Sequence, residues 1–202
     1  MSKISPLVDD LIQAFQCLPG VGPKSAQRMV LDVLERNREE AKHLAGLLIS
    51  SLEQVNKCKD CRIFTENEKC NICINEKRDS EVLCIVESVT DVFAIEQSNQ
   101  FFGKYFVLHG HLSPIDDIGP EEIGLDVLKK NVGLKKIKEI ILATNSTLEG
   151  QATAHYILDI FKTFDDLRIT RLAQGVPLGG ELEFVDGGTI QQAFNGRVNL
   201  KS

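Results

Sequence analysis

Four cysteines in two close pairs constrain this chain more than any other feature. Cys58 and Cys61 enclose two residues, Cys70 and Cys73 enclose two more, and eight residues lie between the pairs. Each Cys-x2-Cys can form one tight turn, and together they can close a tetrahedral shell of thiolates around zinc, a C4 zinc finger. A closed shell leaves no position for a substrate water. The ion is therefore expected to be structural, one per chain, favouring the folded form by an apparent ~10–16 kcal/mol. Free thiols or a redox pair account less well for the paired spacing. Disulfides are unnecessary, because 202 residues that are 43% apolar and 26% charged can build a core of their own. The two other cysteines, Cys17 and Cys84, read as small buried apolar residues.

Ahead of the cysteines the periodicity is helical. Leu7, Leu11 and Phe15, with Val8 and Ile12 beside them, follow the spacing of one helix face. Pro23 stands where a second helix can begin, with Ala26, Met29, Val30, Val33 and Leu34 as its buried side. A third helix carries the stripe Ala41, Leu44, Ala45, Leu48, Ile49, Leu52 and Val55. Between the first two lies LPGVGPKSAQRM, Leu18 to Met29. Gly20 and Gly22 permit a tight turn and let backbone N–H groups approach a phosphate at the following helix N-terminus. Lys24 and Arg28 share one face of that helix, and no acid occurs between Leu18 and Leu31. The combination has the form of a helix-hairpin-helix grip on phosphate that ignores base sequence. The plainer alternative is a helix turn with two solvated cations.

Net charge is −6, which taken alone argues against a nucleic-acid partner. The excess acid is unevenly placed, however: residues 1–80 hold 12 basic and 12 acidic side chains, leaving 11 and 17 for residues 81–202. Two modules with different partners are expected.

Beyond the cysteines, strand and helix alternate. Apolar runs at Val82 to Val86, Tyr105 to Leu108, Glu139 to Ala143 and Leu167 to Ala173 are separated by helical stretches at Thr90 to Ser98, Glu121 to Asn131 and Gly150 to Phe164. This predicts a mainly parallel sheet with helices on its faces and functional groups at the strand carboxyl ends. Glu87 falls at the first such end, with Asp91 four residues on, and Thr144 to Gly150 at a later one. A metal-dependent phosphoryl-transfer site needs several oxygens, and no Asp-x-Asp pair is present there. His109 and His111 read as polar loop residues. Lys129 to Lys138, with five lysines and no acid, reads as a solvated face, with an auxiliary DNA contact as the alternative. No apolar run approaches the length of a membrane span, and the opening residues lack the order of a signal peptide, so a cytoplasmic location is the expectation.

LPGVGPKSAQRM, the four cysteines, CIVES followed by AIEQ, the HLSP segment, ILATNSTLEG and GVPLGGELEFVDG stand in this order, and together they resemble the bacterial RecR family over almost the whole chain. The resemblance implies a multi-module α+β and α/β fold: a helix-hairpin-helix region at 1–56, a C4 zinc finger at 57–74, a topoisomerase/primase-type (Toprim) parallel α/β domain at 80–176 and a C-terminal helical segment at 177–202. In Toprim enzymes a Glu at the position of Glu87 works with an Asp-x-Asp pair, and here Asn145 and Thr147 stand in that region. The implied function is non-enzymatic: a DNA-binding mediator of recombinational repair, acting with RecF-type and RecO-type partners to load recombinase on gapped single-stranded DNA. Gly20, Gly22, Lys24 and Arg28 would hold phosphates, and the zinc would brace the junction of hairpin and sheet. Glu87 and Glu149 would engage protein partners, and the chain would form a homo-oligomer, dimer to tetrameric ring. The alternative is a magnesium-dependent Toprim nuclease or topoisomerase using Glu87, Asp91 and Glu149. The sequence departs from the family pattern at Val89 and Ser146, where Pro is usual, and at Gln151, where Glu is usual.

Overall fold

The computed structural model describes residues 5–134 and 136–198, in two compact units, Met1–Val55 and Asn56–Ser202. No helix among the described residues is long and apolar enough to cross a membrane.

The first unit holds helices α1 (Pro6–Phe15), α2 (Pro23–Glu35) and α3 (Arg38–Gln54). Proline begins both α1 and α2, where its missing N–H costs nothing. The turn between them runs through Gly20 at φ +79°, a left-handed conformation, and closes with the Val21 N–H donating to the Leu18 carbonyl at 3.1 Å. Ala26 and Val30 of α2 are fully buried. The apolar stripe of α3 is not: Leu44, Leu48, Ile49 and Leu52 are 52–85% exposed. Cys17 is exposed as well, contrary to its reading as a buried residue, because it lies in the turn after α1.

The second unit opens with the antiparallel pair β1 (Asn56–Lys57) and β2 (Phe64–Thr65), followed by the single helical turn α4 (Asn71–Ile74). A parallel sheet follows, formed by β3 (Val82–Val86), β4 (Lys104–Val107), β5 (Glu139–Ala143) and β6 (Arg168–Arg171) in the order β4-β3-β5-β6. Helices α5 (Val89–Gln97), α6 (Leu125–Leu134) and α7 (Leu148–Phe161) connect the strands. One core joins Leu83, Ile85, Phe106, Ile140 and Leu142 to Leu128, Val132, Ile157 and Phe161 of α6 and α7. A second joins Cys84, Val86, Tyr105 and Val107 to Val92 of α5 and to Cys58, Cys61 and Cys70. Side chains alternate across a strand, so these are the two faces of the sheet.

The chain leaves β3 for β4 on one side and returns to β5 on the other. The carboxyl ends at β3 thus form a topological switch point, where ligands of such sheets bind. Two helix starts differ from the sequence-based expectation. α6 begins at Leu125, not near Glu121, because Gly124 at φ +77° interrupts helical geometry just before it. α7 begins at Leu148, capped by the Thr147 hydroxyl accepting from the Gly150 N–H at 3.1 Å. After β6 comes a short 3-10 turn at Leu182–Phe184. Helix α8 (Gly187–Asn195) follows, capped by Asp186, which accepts from the Thr189 N–H at 2.9 Å.

Candidate functional site: four cysteines and a closed strand end

Cys58, Cys61, Cys70 and Cys73 converge so that their four sulfurs lie within 4.8 Å of one another. A tetrahedron with metal–sulfur bonds of about 2.3 Å needs sulfurs about 3.8 Å apart, so the donor set fits one soft divalent ion with small adjustments. Each pair makes its own turn. The Arg62 N–H donates to the Cys58 carbonyl at 2.9 Å, and the Cys73 and Ile74 N–H groups donate to the Cys70 carbonyl at 3.0 and 3.1 Å. The Cys70 N–H donates to the Cys58 sulfur at 3.3 Å, which ties the two turns together. The Cys61 and Cys70 sulfurs lie 3.4 Å apart; hydrogen bonding with Cys70 pushes the Cys61 thiol up, and hydrogen bonding with Cys61 and Cys73 pulls the Cys70 thiol down. A metal ion takes these sulfurs as thiolates, so its binding releases the protons they carry.

The cluster is built onto the sheet. β4 is an edge strand, and its Val107 N–H donates to the Cys61 carbonyl at 2.9 Å, so the cysteine turn covers an edge that would otherwise be open to pairing. Asn131 of α6 donates to the Asp60 carbonyl at 3.0 Å. Arg62 hydrogen-bonds the Ile123 carbonyl and lies over the Phe106 ring at 5.6 Å.

At the switch point, Glu87 follows β3 and is only 5% exposed. Asn145, just beyond β5, closes over it: the Asn145 backbone N–H donates to Glu87 Oε1 at 2.9 Å and its side-chain Nδ2 donates to Oε2 at 2.7 Å. His111 Nδ1 stands 3.6 Å from Oε2. Gly150 makes this closeness possible, because a Cβ there would meet Glu87 Oε1 at 2.7 Å and also strike the Asn145 carbonyl. The other carboxylates lie elsewhere. Asp91 accepts from the Ser88 N–H at 2.8 Å and completes the capping box of α5. Glu149 is exposed in the first turn of α7, where an acid complements the helix dipole. Among the described residues the only cluster of three or more potential metal-ligating side chains is the four cysteines, so Glu87, Asp91 and Glu149 do not assemble. Glu87 and Glu149 do not share an open face either, since one is buried and the other exposed.

In the hairpin, Lys24 and Arg28 are exposed one turn apart on α2. Gly20 and Gly22 have open space on the side a Cβ would occupy, leaving their backbone approachable. Cys84 is buried as expected, and burial pushes its thiol up to about 12. His109 is more than a loop residue: its Nε2 bonds the Arg62 carbonyl at 2.7 Å. Sequence reading missed this, and missed Asn145 as the partner of Glu87. The one available signal was the amide standing where a carboxylate was looked for.

Comparison with known families matches three segments. Residues 8–52 match the helix-hairpin-helix region of RecR, residues 81–173 match the Toprim domain and residues 175–198 match the RecR C-terminal region. The first and last of these are specific to one family, and the middle one spans the four strands of the parallel sheet. With the four-cysteine cluster between hairpin and sheet in the sequence, the chain belongs to the RecR family.

Proposed function

We infer that this chain is a DNA-binding mediator of recombinational repair that performs no covalent chemistry on DNA. The observation that carries the reading is the pair Glu87 and Asn145. At the strand end where a Toprim enzyme gathers acids, an asparagine gives one backbone and one side-chain N–H to the buried carboxylate and occupies the oxygens a magnesium ion would need.

Zinc is the ion read into the four cysteines, since four cysteine sulfurs gathered this closely suit its tetrahedral sulfur coordination. When bound it cross-links the two turns and contributes folding energy. DNA meets the hairpin, where Lys24 and Arg28 and the backbone at Gly20 and Gly22 hold phosphates without reading bases. Glu149, exposed on the acidic unit, engages a basic RecO-type partner, and a RecF-type protein completes the complex that loads recombinase at gaps. The bared stripe of α3 supports self-association, which would gather several weak hairpin contacts on one DNA. We read the modules as 1–56, 57–74, 80–176 and 177–202.

The test combines two assays. With magnesium and supercoiled or single-stranded DNA, the expected result is no cleavage, joining or relaxation. With a RecO-type partner, the protein should speed recombinase assembly on gapped DNA coated by single-strand binding protein. Magnesium-dependent cleavage abolished by Glu87→Gln would overturn the reading in favour of a Toprim nuclease.

A further inference from the structure

We propose that Lys104 is a positioning residue for the four-cysteine centre, seating the second cysteine pair against the sheet and raising its hold on the metal. The inference rests on the reading of those cysteines as a zinc site. The Lys104 ammonium donates to three carbonyls at once: Ile72 at 2.9 Å, Cys73 at 3.1 Å and Asn75 at 2.8 Å. An ammonium has three N–H donors, so one side chain is saturated by one short segment of backbone. That segment needs it. α4 is a single turn of four residues, Asn71–Ile74, and the carbonyls at the end of a helix have no partner within it.

The position of Lys104 gives the contact its consequence. It is the first residue of the edge strand β4, in register with Leu83, so the ammonium is anchored to the sheet. Its side chain is half-buried and, with Cys73, Tyr105, Phe106 and Asn131, lines a cavity of about 160 Å³. The two cysteine pairs are thus held to the sheet by different devices. A strand N–H, from Val107, holds the first pair through the Cys61 carbonyl, and a lysine holds the second through the Cys73 carbonyl and its neighbours. Only the second device carries charge. Four thiolates around a divalent ion leave a net double negative charge, and a half-buried cation hydrogen-bonded to the ligating turn offsets it. Groups outside the ligand shell that orient it change metal affinity by about 10–100-fold.

The experiment compares wild type with Lys104→Met, which keeps length and loses charge and donors, and Lys104→Arg, which keeps both. Metal content of the freshly purified wild type is measured first. One zinc per chain is expected, and its absence overturns the reading of the centre itself. Zinc release to a colorimetric chelator should be about tenfold faster from Lys104→Met and close to wild type from Lys104→Arg. The sulfur-to-cobalt charge-transfer bands of the cobalt-substituted protein should shift in the Met variant alone. Should Lys104→Met not fold, Lys104→Gln against Lys104→Arg makes the same comparison. A wild-type release rate and unchanged cobalt bands on removal of the charge overturn the proposal with the zinc centre left standing. So does an equal fall in the Tm of loaded and stripped protein without faster release, which would mark Lys104 as a brace of the sheet alone.

Discussion

The imidazole of His109 and the main-chain carbonyl of Arg62 meet at 2.7 Å, and both residues hold left-handed backbone, at φ 60° and 66°. Neither is glycine, so each conformation costs energy that surrounding contacts must offset. The neighbours are the Arg62 bond to the Ile123 carbonyl and the Phe64 ring, 5.5 Å from His109. The loop after β4 and the turn after Cys61 are therefore locked to each other.

Burial holds the His109 imidazole below its ordinary 6.5. As pH falls from that ordinary value toward the lowered one, the unfolded chain takes up a proton that the folded chain refuses, so stability is lost across that window and fully present above it. His109→Gln should lessen this acid-side loss in pH-dependent unfolding curves of the metal-loaded protein. At pH 8 it should cost about 1 kcal/mol for the weakened hydrogen bond. Parallel curves for wild type and variant down to pH 5 would show that the loss lies elsewhere.

Asn145→Asp would replace the donor over Glu87 with a second carboxylate. The expected cost is about 1–3 kcal/mol near neutral pH, because a buried acid loses a hydrogen bond and gains a like charge. The sign of the pH effect is opposite to that of His109. Repulsion raises the affinity of the folded pair for one proton, so the variant should regain stability as pH falls. Thermal unfolding at pH 5.5 and 8 measures both, and a variant as stable as wild type at pH 8 would mean that the Asn145 side chain is not holding Glu87.

Lys24→Ala and Arg28→Ala should each weaken DNA binding about equally for all sequences and reduce the slope of log affinity against log salt by about 1. The four-cysteine centre is remote in sequence, and metal content should not change. Fluorescence anisotropy at several salt concentrations reads this. An unaltered slope in the double variant would shift attention to the exposed Lys129, Lys130 and Lys136.

Glu149→Ala should weaken association with the RecO-type partner, more at low salt than at moderate salt, while DNA binding by the isolated protein stays intact or tightens slightly. The exposed position of Glu149 makes a stability change small, about 0.3–1 kcal/mol from the lost favourable charge at the start of α7. Titration of the partner by calorimetry separates the two roles, and wild-type affinity at every salt concentration would leave only the helix-dipole contribution.

Much of this molecule was legible before any coordinates. The cysteine spacing, the turn through Gly20 and the alternation of strands and helices are local features, and local features follow from residue type and periodicity. β5 spans the residues its apolar run marked, Glu139–Ala143. What the sequence alone did not determine are the pairings between distant residues. Glu87 and Asn145 are 58 residues apart, and Lys104 and Cys73 are 31 apart. These distances close only because parallel pairing in one particular register brings the ends of β3 and β5 together and sets the start of β4 beside α4. The tertiary structure also decided which apolar stripes are covered. The helical period of α3 is clear in its residues, yet Leu44, Leu48, Ile49 and Leu52 stay exposed, because periodicity defines a face and only packing supplies its partner.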